Sequence, residues 1–194
     1  MPTIELYPIP WGQEPPAHLR QIYEEAFPPE ERRPWTQLFG PERCEHIAQL
    51  ILSDDEVVGF VVGWELPSSH YFEYLVIDPN RRGQGLGSKV LQLLGRLYDD
   101  EYPIVLEAEP AGYSPMAERR LAFYARFGLT VQPFAYRQPP YGAELPWVDL
   151  HLLSNRSLQE ADFLRIQQEI HRQVYRISTV SLQTSNVYPT SKAL

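Results

Sequence analysis

Glu73-Tyr74-Leu75-Val76-Ile77-Asp78-Pro79-Asn80-Arg81-Arg82-Gly83-Gln84-Gly85-Leu86-Gly87-Ser88 is the stretch on which the fold of this 194-residue chain turns. Apolar residues of strand character stop at Asp78-Pro79. Two arginines and three alternating glycines follow, and then a helical pattern begins. Glycine takes φ > 0 where a turn demands it and lacks the Cβ that would hold a ligand off the backbone. A helix opening at that point adds orphan N–H groups and the positive end of its dipole. The combination predicts a cradle for a phosphate or pyrophosphate.

Spacing narrows the ligand. A dinucleotide fingerprint needs Gly-x-Gly-x-x-Gly, whereas here the order is Gly83-x-Gly85-x-Gly87. A P-loop needs Gly-x-x-x-x-Gly-Lys-Ser/Thr, which Gly87-Ser88-Lys89 does not supply. Arg82-Gly83-Gln84-Gly85-Leu86-Gly87 instead resembles the Arg/Gln-x-x-Gly-x-Gly/Ala acetyl-CoA signature of the GNAT family of N-acetyltransferases. The strand before it and the amphipathic helix after it strengthen the resemblance. The bland alternative is a glycine-rich turn with no ligand.

Composition limits the remaining classes. Apolar content of 43% and aromatic content of 12% suit a globular chain, and its length gives room for one domain with a sizeable core. No apolar run reaches membrane-spanning length and the N-terminus lacks a secretory pattern, so a cytoplasmic location and no membrane partner are expected. A single cysteine, Cys44, excludes an internal disulfide and a multi-cysteine zinc site, and reads as a small apolar filler. His46, His151 and His171 show no metal-ligand spacing, so no metal is expected. Net charge of −8 and a pI near 5.1 disfavour nucleic acid and suit a cationic substrate.

The elements follow from the pattern in chain order. Thr3–Tyr7 alternates as a first strand, and Leu19, Ile22, Tyr23, Ala26 and Phe27 recur at helical spacing before Pro28-Pro29. Glu30–Trp35 is either a solvated connection with Trp35 tucked into the core or a wall of an acceptor pocket. A hairpin is expected from His46 to Trp64, turning at Ser53–Glu56, then a central strand from about His70 to Ile77. Val90, Leu91, Leu93, Leu94, Leu97 and Tyr98 stripe the next helix, in which Gly95 predicts close packing. A fifth strand spans Pro103–Pro110. Ser114-Pro115 then reads as N-cap and first helical residue, and Gly128 as the stop. Leu129–Val131 and Trp147–Leu153 close the sheet across a loop containing Tyr136–Tyr141. Ser157 and Glu160 have capping-box spacing ahead of a last helix, and the tail from Ser178 is expected to be mobile.

This order again resembles the GNAT fold. The resemblance implies an α+β, α/β/α sandwich with a mixed, mostly antiparallel sheet of about seven strands and a parallel, splayed pair at the fourth and fifth strands. It covers residues 1–154 as the acetyltransferase domain, leaving 155–194 as C-terminal helix and tail. That helix is free to pack on the sheet, shield a site or form a homodimer.

The resemblance also implies roles. Val76 and Ile77 offer backbone groups to the pantetheine arm of acetyl-CoA. Amides of Arg82, Gly83, Gln84, Gly85, Leu86 and Gly87, with the Ser88 hydroxyl, hold the pyrophosphate, and the Arg82 side chain partly braces the loop. Phe123-Tyr124-Ala125-Arg126-Phe127-Gly128-Leu129 is similar to the family's Phe-Tyr-x-x-x-Gly-Phe, making Tyr124 the candidate acid for the leaving thiolate. Its bland reading is an aromatic on a core stripe with Ala117 and Leu121. The asparagine often found after the fifth strand is absent, and Glu107 and Glu109 stand there instead.

Acyl transfer to an amine needs a base for the ammonium proton and a donor where negative charge develops on the carbonyl. Glu73 and Glu107 are the candidate bases, with Glu109 on the side of Glu107 by the period of two and His70 a weaker alternative. The expected activity is direct, acetyl-CoA-dependent acetylation of a small amine or peptide amine, with no covalent acyl-enzyme. The rival readings are a non-catalytic acyl-CoA sensor and a structural partner surface.

Overall fold

The computed structural model describes residues 3–98 and 101–177. The alternating N-terminal run forms β1 (Ile4–Pro8), and the helical stripe after it forms α1 (Ala17–Ala26). A four-residue helix, α2 (Trp35–Leu38), follows a proline-initiated turn. The hairpin is β2 (Ile47–Ser53) and β3 (Glu56–Leu66), and a second tight turn leads into β4 (Ser69–Ile77). Asp54 and Asp55 both have positive φ, 50° and 67°. That is the primed turn whose twist matches a hairpin, and short acidic side chains tolerate it.

Beyond the glycine turn come α3 (Leu86–Leu97), β5 (Ile104–Ala108) and α4 (Pro115–Ala125). Ser114 caps α4, its side chain accepting from the Ala117 N–H at 3.0 Å, and Gly128 ends the segment with φ 76°. Three strands follow: β6 (Thr130–Val131), β7 (Tyr136–Gln138) and β8 (Val148–Ser154). Last is α5 (Glu160–Glu169), continued by a π turn over Ile170–Val174.

The sheet order is β1-β2-β3-β4-β5-β8-β6, with β7 paired to β8. Among the described residues β4/β5 is the parallel pair and the others are antiparallel. Alternation along the strands sorts the core into two faces. Phe60, Val62, Tyr74 and Val76 pack with α1 and α2, and Trp64, Tyr71, Val105 and Leu152 on the same face pack under α5. Val61, Ile104, Leu106 and Leu153 face the other way, against α3 and α4. The mixed α+β sandwich is therefore as expected.

Three details differ from expectation. The described sheet has eight strands rather than about seven, because β7, three residues beside Pro139-Pro140 in a stretch expected to be loop, pairs with β8. Ser157 does not cap α5: the helix starts later, after Gln159, with no side-chain cap. Gly95 is not a close-packing site, since a Cβ built there meets nothing within 4 Å. The tail from Ser178 lies outside the described residues. No described helix is long and apolar enough to cross a membrane.

Candidate active site

Pairing between β4 and β5 ends at Phe72↔Leu106, although β4 continues to Ile77 and β5 to Ala108. The reason lies in a bulge. Val62 opposes Tyr74 and Gly63 opposes Phe72, leaving Glu73 as the extra residue on β4. A bulge bends and twists its strand and interrupts the alternation of peptide groups. The Asp78 N–H donates to the Val58 carbonyl at 2.9 Å, so antiparallel alternation turns Val76 toward Phe60 and turns Leu75 and Ile77 toward the gap. Val76, expected to serve beside Ile77, is thus occupied by β3, and Leu75 takes its place on the open edge.

The glycine turn closes one end of this gap. Asp78 accepts from the Asn80 N–H at 2.8 Å and starts a short 3₁₀ turn, after which Gly83 and Gly85 have φ 78° and 72°. Gly85 is the N-cap of α3 and no side chain caps the helix, so the first N–H groups, those of Leu86, Gly87 and Ser88, keep no intrahelical acceptor. A Cβ on Gly87 would stand 3.3 Å from the Phe123 ring and 3.6 Å from the Ile77 side chain, which makes glycine the fitting residue there. These features fit a pyrophosphate. The loop is braced by Arg81, ion-paired to Glu56 of the β2–β3 hairpin, while exposed Arg82 has no described partner and lines the cavity.

From this turn a cavity of about 870 Å³ runs through the gap between β4 and β5 to the opposite face. Gly83, Gly85, Gly87 and Ser88 line one end, Tyr124 and Glu107 the middle, and Phe27 and Glu31 the other. The Tyr124 hydroxyl has no hydrogen-bond partner among the described residues, and burial raises its pKa, partly offset by Arg120. Glu109 pairs with Arg120. Burial, followed by the charge of Glu109, pushes the nearby Glu31 carboxyl up to about 7.

Glu73 and Glu107 sit in one buried polar network, in different states of engagement. The Glu73 side chain is 1% exposed and forms an ion pair with Arg33, itself 2% exposed, at 2.7 Å. Trp64 Nε1 donates to its other oxygen at 2.7 Å, and the Tyr141 hydroxyl adds a bond of 2.8 Å. Glu107 has no cationic partner among the described residues. It accepts from Tyr136 and, at 2.8 Å, from Tyr175. Burial pushes its carboxyl up to about 7, with the phenol hydrogen bonds opposing and the charge of Glu73 adding to the rise. A buried carboxylate near neutrality can take up a proton at neutral pH and give it back.

The gap therefore brings together Ile77, the glycine-turn amides, Tyr124, Glu73 and Glu107. His70 is removed from the group, its ring packed on Tyr98 at 4.7 Å. Cys44 is buried beside Arg33, 3.7 Å from Nη1, and lines neither end of the cavity. No described group of His, Cys, Asp and Glu is placed to hold a metal. Sequence reasoning missed Arg33 and Tyr175, and it reached Tyr141 only as part of a proline-rich loop expected to shape the choice of acceptor. Arg33 stands in a stretch that reads equally as a solvated connection or a pocket wall, and the two tyrosines carry no local pattern that points to Glu73 or Glu107.

A model of the acetyltransferase (GNAT) family matches residues 6–129. The chain is 28% identical over 114 residues to YjbC of Bacillus subtilis (strain 168), itself a candidate acetyltransferase, covering 57% of this chain and 58% of that one. It thus spans little over half the length of that relative. A candidate GNAT acetyltransferase from Bacteroides thetaiotaomicron superposes with a TM-score of 0.74 at 30% identity, over 83% of this chain and 92% of that one. A GNAT acetyltransferase of Elizabethkingia anophelis with acetyl-CoA bound shares the fold, with a TM-score of 0.52 at 14% identity over 78% and 96% of the two chains. Sequence match, sheet order and the splayed parallel pair agree: this chain belongs to the GNAT acetyltransferase family.

Proposed function

We propose that the protein transfers an acetyl group from acetyl-CoA directly to a primary amine of a small molecule or peptide. The observation that carries this reading is the continuous cavity, which joins an anion cradle on one face to an acid-lined opening on the other. Amides from Arg82 to Gly87, with the Ser88 hydroxyl, hold the pyrophosphate. The open edge at Leu75 and Ile77 pairs with the pantetheine arm as an added strand would, and its N–H groups are available where carbonyl charge develops. Tyr124 protonates the departing thiolate. Glu107 is the base: it lines the cavity, lacks a cationic partner among the described residues and titrates near neutrality. Glu73 serves instead as the counter-ion of Arg33 and holds the bulge. Glu31, which lines that opening, makes the acceptor end attractive to an ammonium group.

Thermal stabilisation by acetyl-CoA and release of free CoA across an amine panel test the proposal. Stabilisation with amine-dependent release, reduced ten-fold or more in Tyr124→Phe, is expected. Stabilisation without release for any amine would favour a sensor, and no stabilisation would refute the coenzyme site.

A further inference from the structure

Tyr175 comes from beyond the family-matched region, and the fold takes particular care to place it. The π turn ends at Val174, whose carbonyl accepts from Arg33 Nη2 at 2.9 Å. The Tyr175 N–H returns to the Ile170 carbonyl at 3.2 Å, and Arg176 takes φ 57°, reversing the chain so that the Ile177 N–H meets the His171 carbonyl at 2.9 Å. A non-glycine residue in that region is strained and needs its surroundings to hold it. The outcome is a buried phenol 2.8 Å from Glu107 Oε2, with the Tyr141 hydroxyl 3.2 Å further on.

Behind these two phenols lies a second cavity of about 430 Å³, lined by Arg33, Gln37, Glu42, Tyr141, Val174, Tyr175 and Arg176. Tyr141 lines both cavities. Glu107 thus faces the acceptor on one side and, through Tyr175 and Tyr141, a separate polar chamber on the other. We propose that these phenols are the exit path for the proton that Glu107 takes from the acceptor amine, so that the chain after residue 129 completes the acid–base machinery. The inference rests on the reading of Glu107 as base.

The proton count closes. An N–H bond of the acceptor ammonium breaks and an O–H bond forms on Glu107. Glu107 then gives its proton to the Tyr175 oxygen as the Tyr175 proton passes to Tyr141, whose own proton, at rest donated to Glu73, turns to water in the second cavity. One proton leaves the amine, one reaches solvent, and neither phenol keeps a charge. The other groups facing Glu107 are Tyr71 and Glu73 on β4 and Tyr136 on β7, with His171 against the Tyr136 ring at 5.7 Å and Arg33 paired to Glu73. Tyr136 donates to the other Glu107 oxygen and lines neither cavity, so it orients the carboxylate without offering an exit.

Tyr175→Phe, Tyr141→Phe and Glu107→Gln test this in the full chain, using an amine on which the unmodified protein releases CoA. Both phenol variants are expected to keep the thermal stabilisation by acetyl-CoA and to lose about ten-fold in kcat, with imidazole added as a proton carrier restoring part of it. An infrared readout needs no turnover. The carboxylic band that Glu107→Gln removes should titrate at higher pH in Tyr175→Phe, where a donor to the carboxylate is gone, and stay in place in Tyr141→Phe. Unchanged kcat in the phenol variants, a band that Tyr175→Phe does not move, or a loss that imidazole cannot relieve would overturn the relay and leave Glu107 as base. Full activity in Glu107→Gln would remove the base, and the relay with it.

Discussion

Glu107→Gln should change how stability depends on pH. The folded carboxyl titrates near 7 against 4.5 for the unfolded chain, so between those values the native state binds more protons than the unfolded state. Stability then falls as pH rises through that window, by about 2–3 kcal/mol between pH 5 and pH 8. Below 4.5 the two states bind equally and the contribution is complete; above about 7 it is lost. Glutamine keeps the shape and an acceptor oxygen for Tyr136 or Tyr175 but cannot ionise. Relative to wild type, the variant should therefore gain about 2–3 kcal/mol on going from pH 5 to pH 8. Urea midpoints at each pH measure this, at about 1 M per 1–3 kcal/mol. Glu31, pushed up to about 7, and His46 and His171, lowered by burial to about 4, also titrate across the range. They are present in both proteins and cancel in the difference. Parallel stability curves would refute a protonated Glu107 near neutrality, and with it the physical basis for choosing this residue as base.

Three further outcomes follow from the geometry. Glu73→Ala leaves Arg33 charged and buried, with Trp64 and Tyr141 short of an acceptor, and should cost about 3–5 kcal/mol in urea denaturation. The double variant Arg33→Met/Glu73→Met should recover most of that loss, and equal losses in the two proteins would show that the pair is not the cause. Gly85→Val forces a branched residue to φ 72°, costing about 1–2 kcal/mol, and places a side chain at the anion cradle; thermal stabilisation by acetyl-CoA should disappear, and its survival would count against the cradle. Gly95→Ala fills open space in α3 and should raise stability by about 1 kcal/mol, a gain that a lower melting temperature would contradict.

What was legible in the sequence was local. Ser114 and Gly128 bracket α4 because a cap and a left-handed stop act within a few residues, and Asp54-Asp55 turns its hairpin for the same reason. The glycine turn was legible because its spacing, strand and helix are contiguous. β7 was lost because three residues beside Pro139-Pro140 carry no readable alternation, and its pairing depends on β8. Glu73 and Glu107 were visible as acids but not as different ones. Arg33 lies 40 residues from Glu73 and Tyr175 lies 68 residues from Glu107, and only the fold sets those distances. A bulge is likewise invisible until two strands are laid side by side.

The separation of Glu107 and Tyr175 has a consequence for biosynthesis. At about 5–20 residues per second, roughly 3–14 s pass between the addition of one and the other to the growing chain. Through the first part of that interval β5 also waits for β8, which supplies Leu152 opposite Glu107. A nascent chain that has completed the family-matched segment therefore carries an open sheet edge and a carboxyl without its Tyr175 donor. Completion of the hydrogen bonds around Glu107 waits on residues translated well after the family-matched segment, and the edge of β5 stays open until β8 is made.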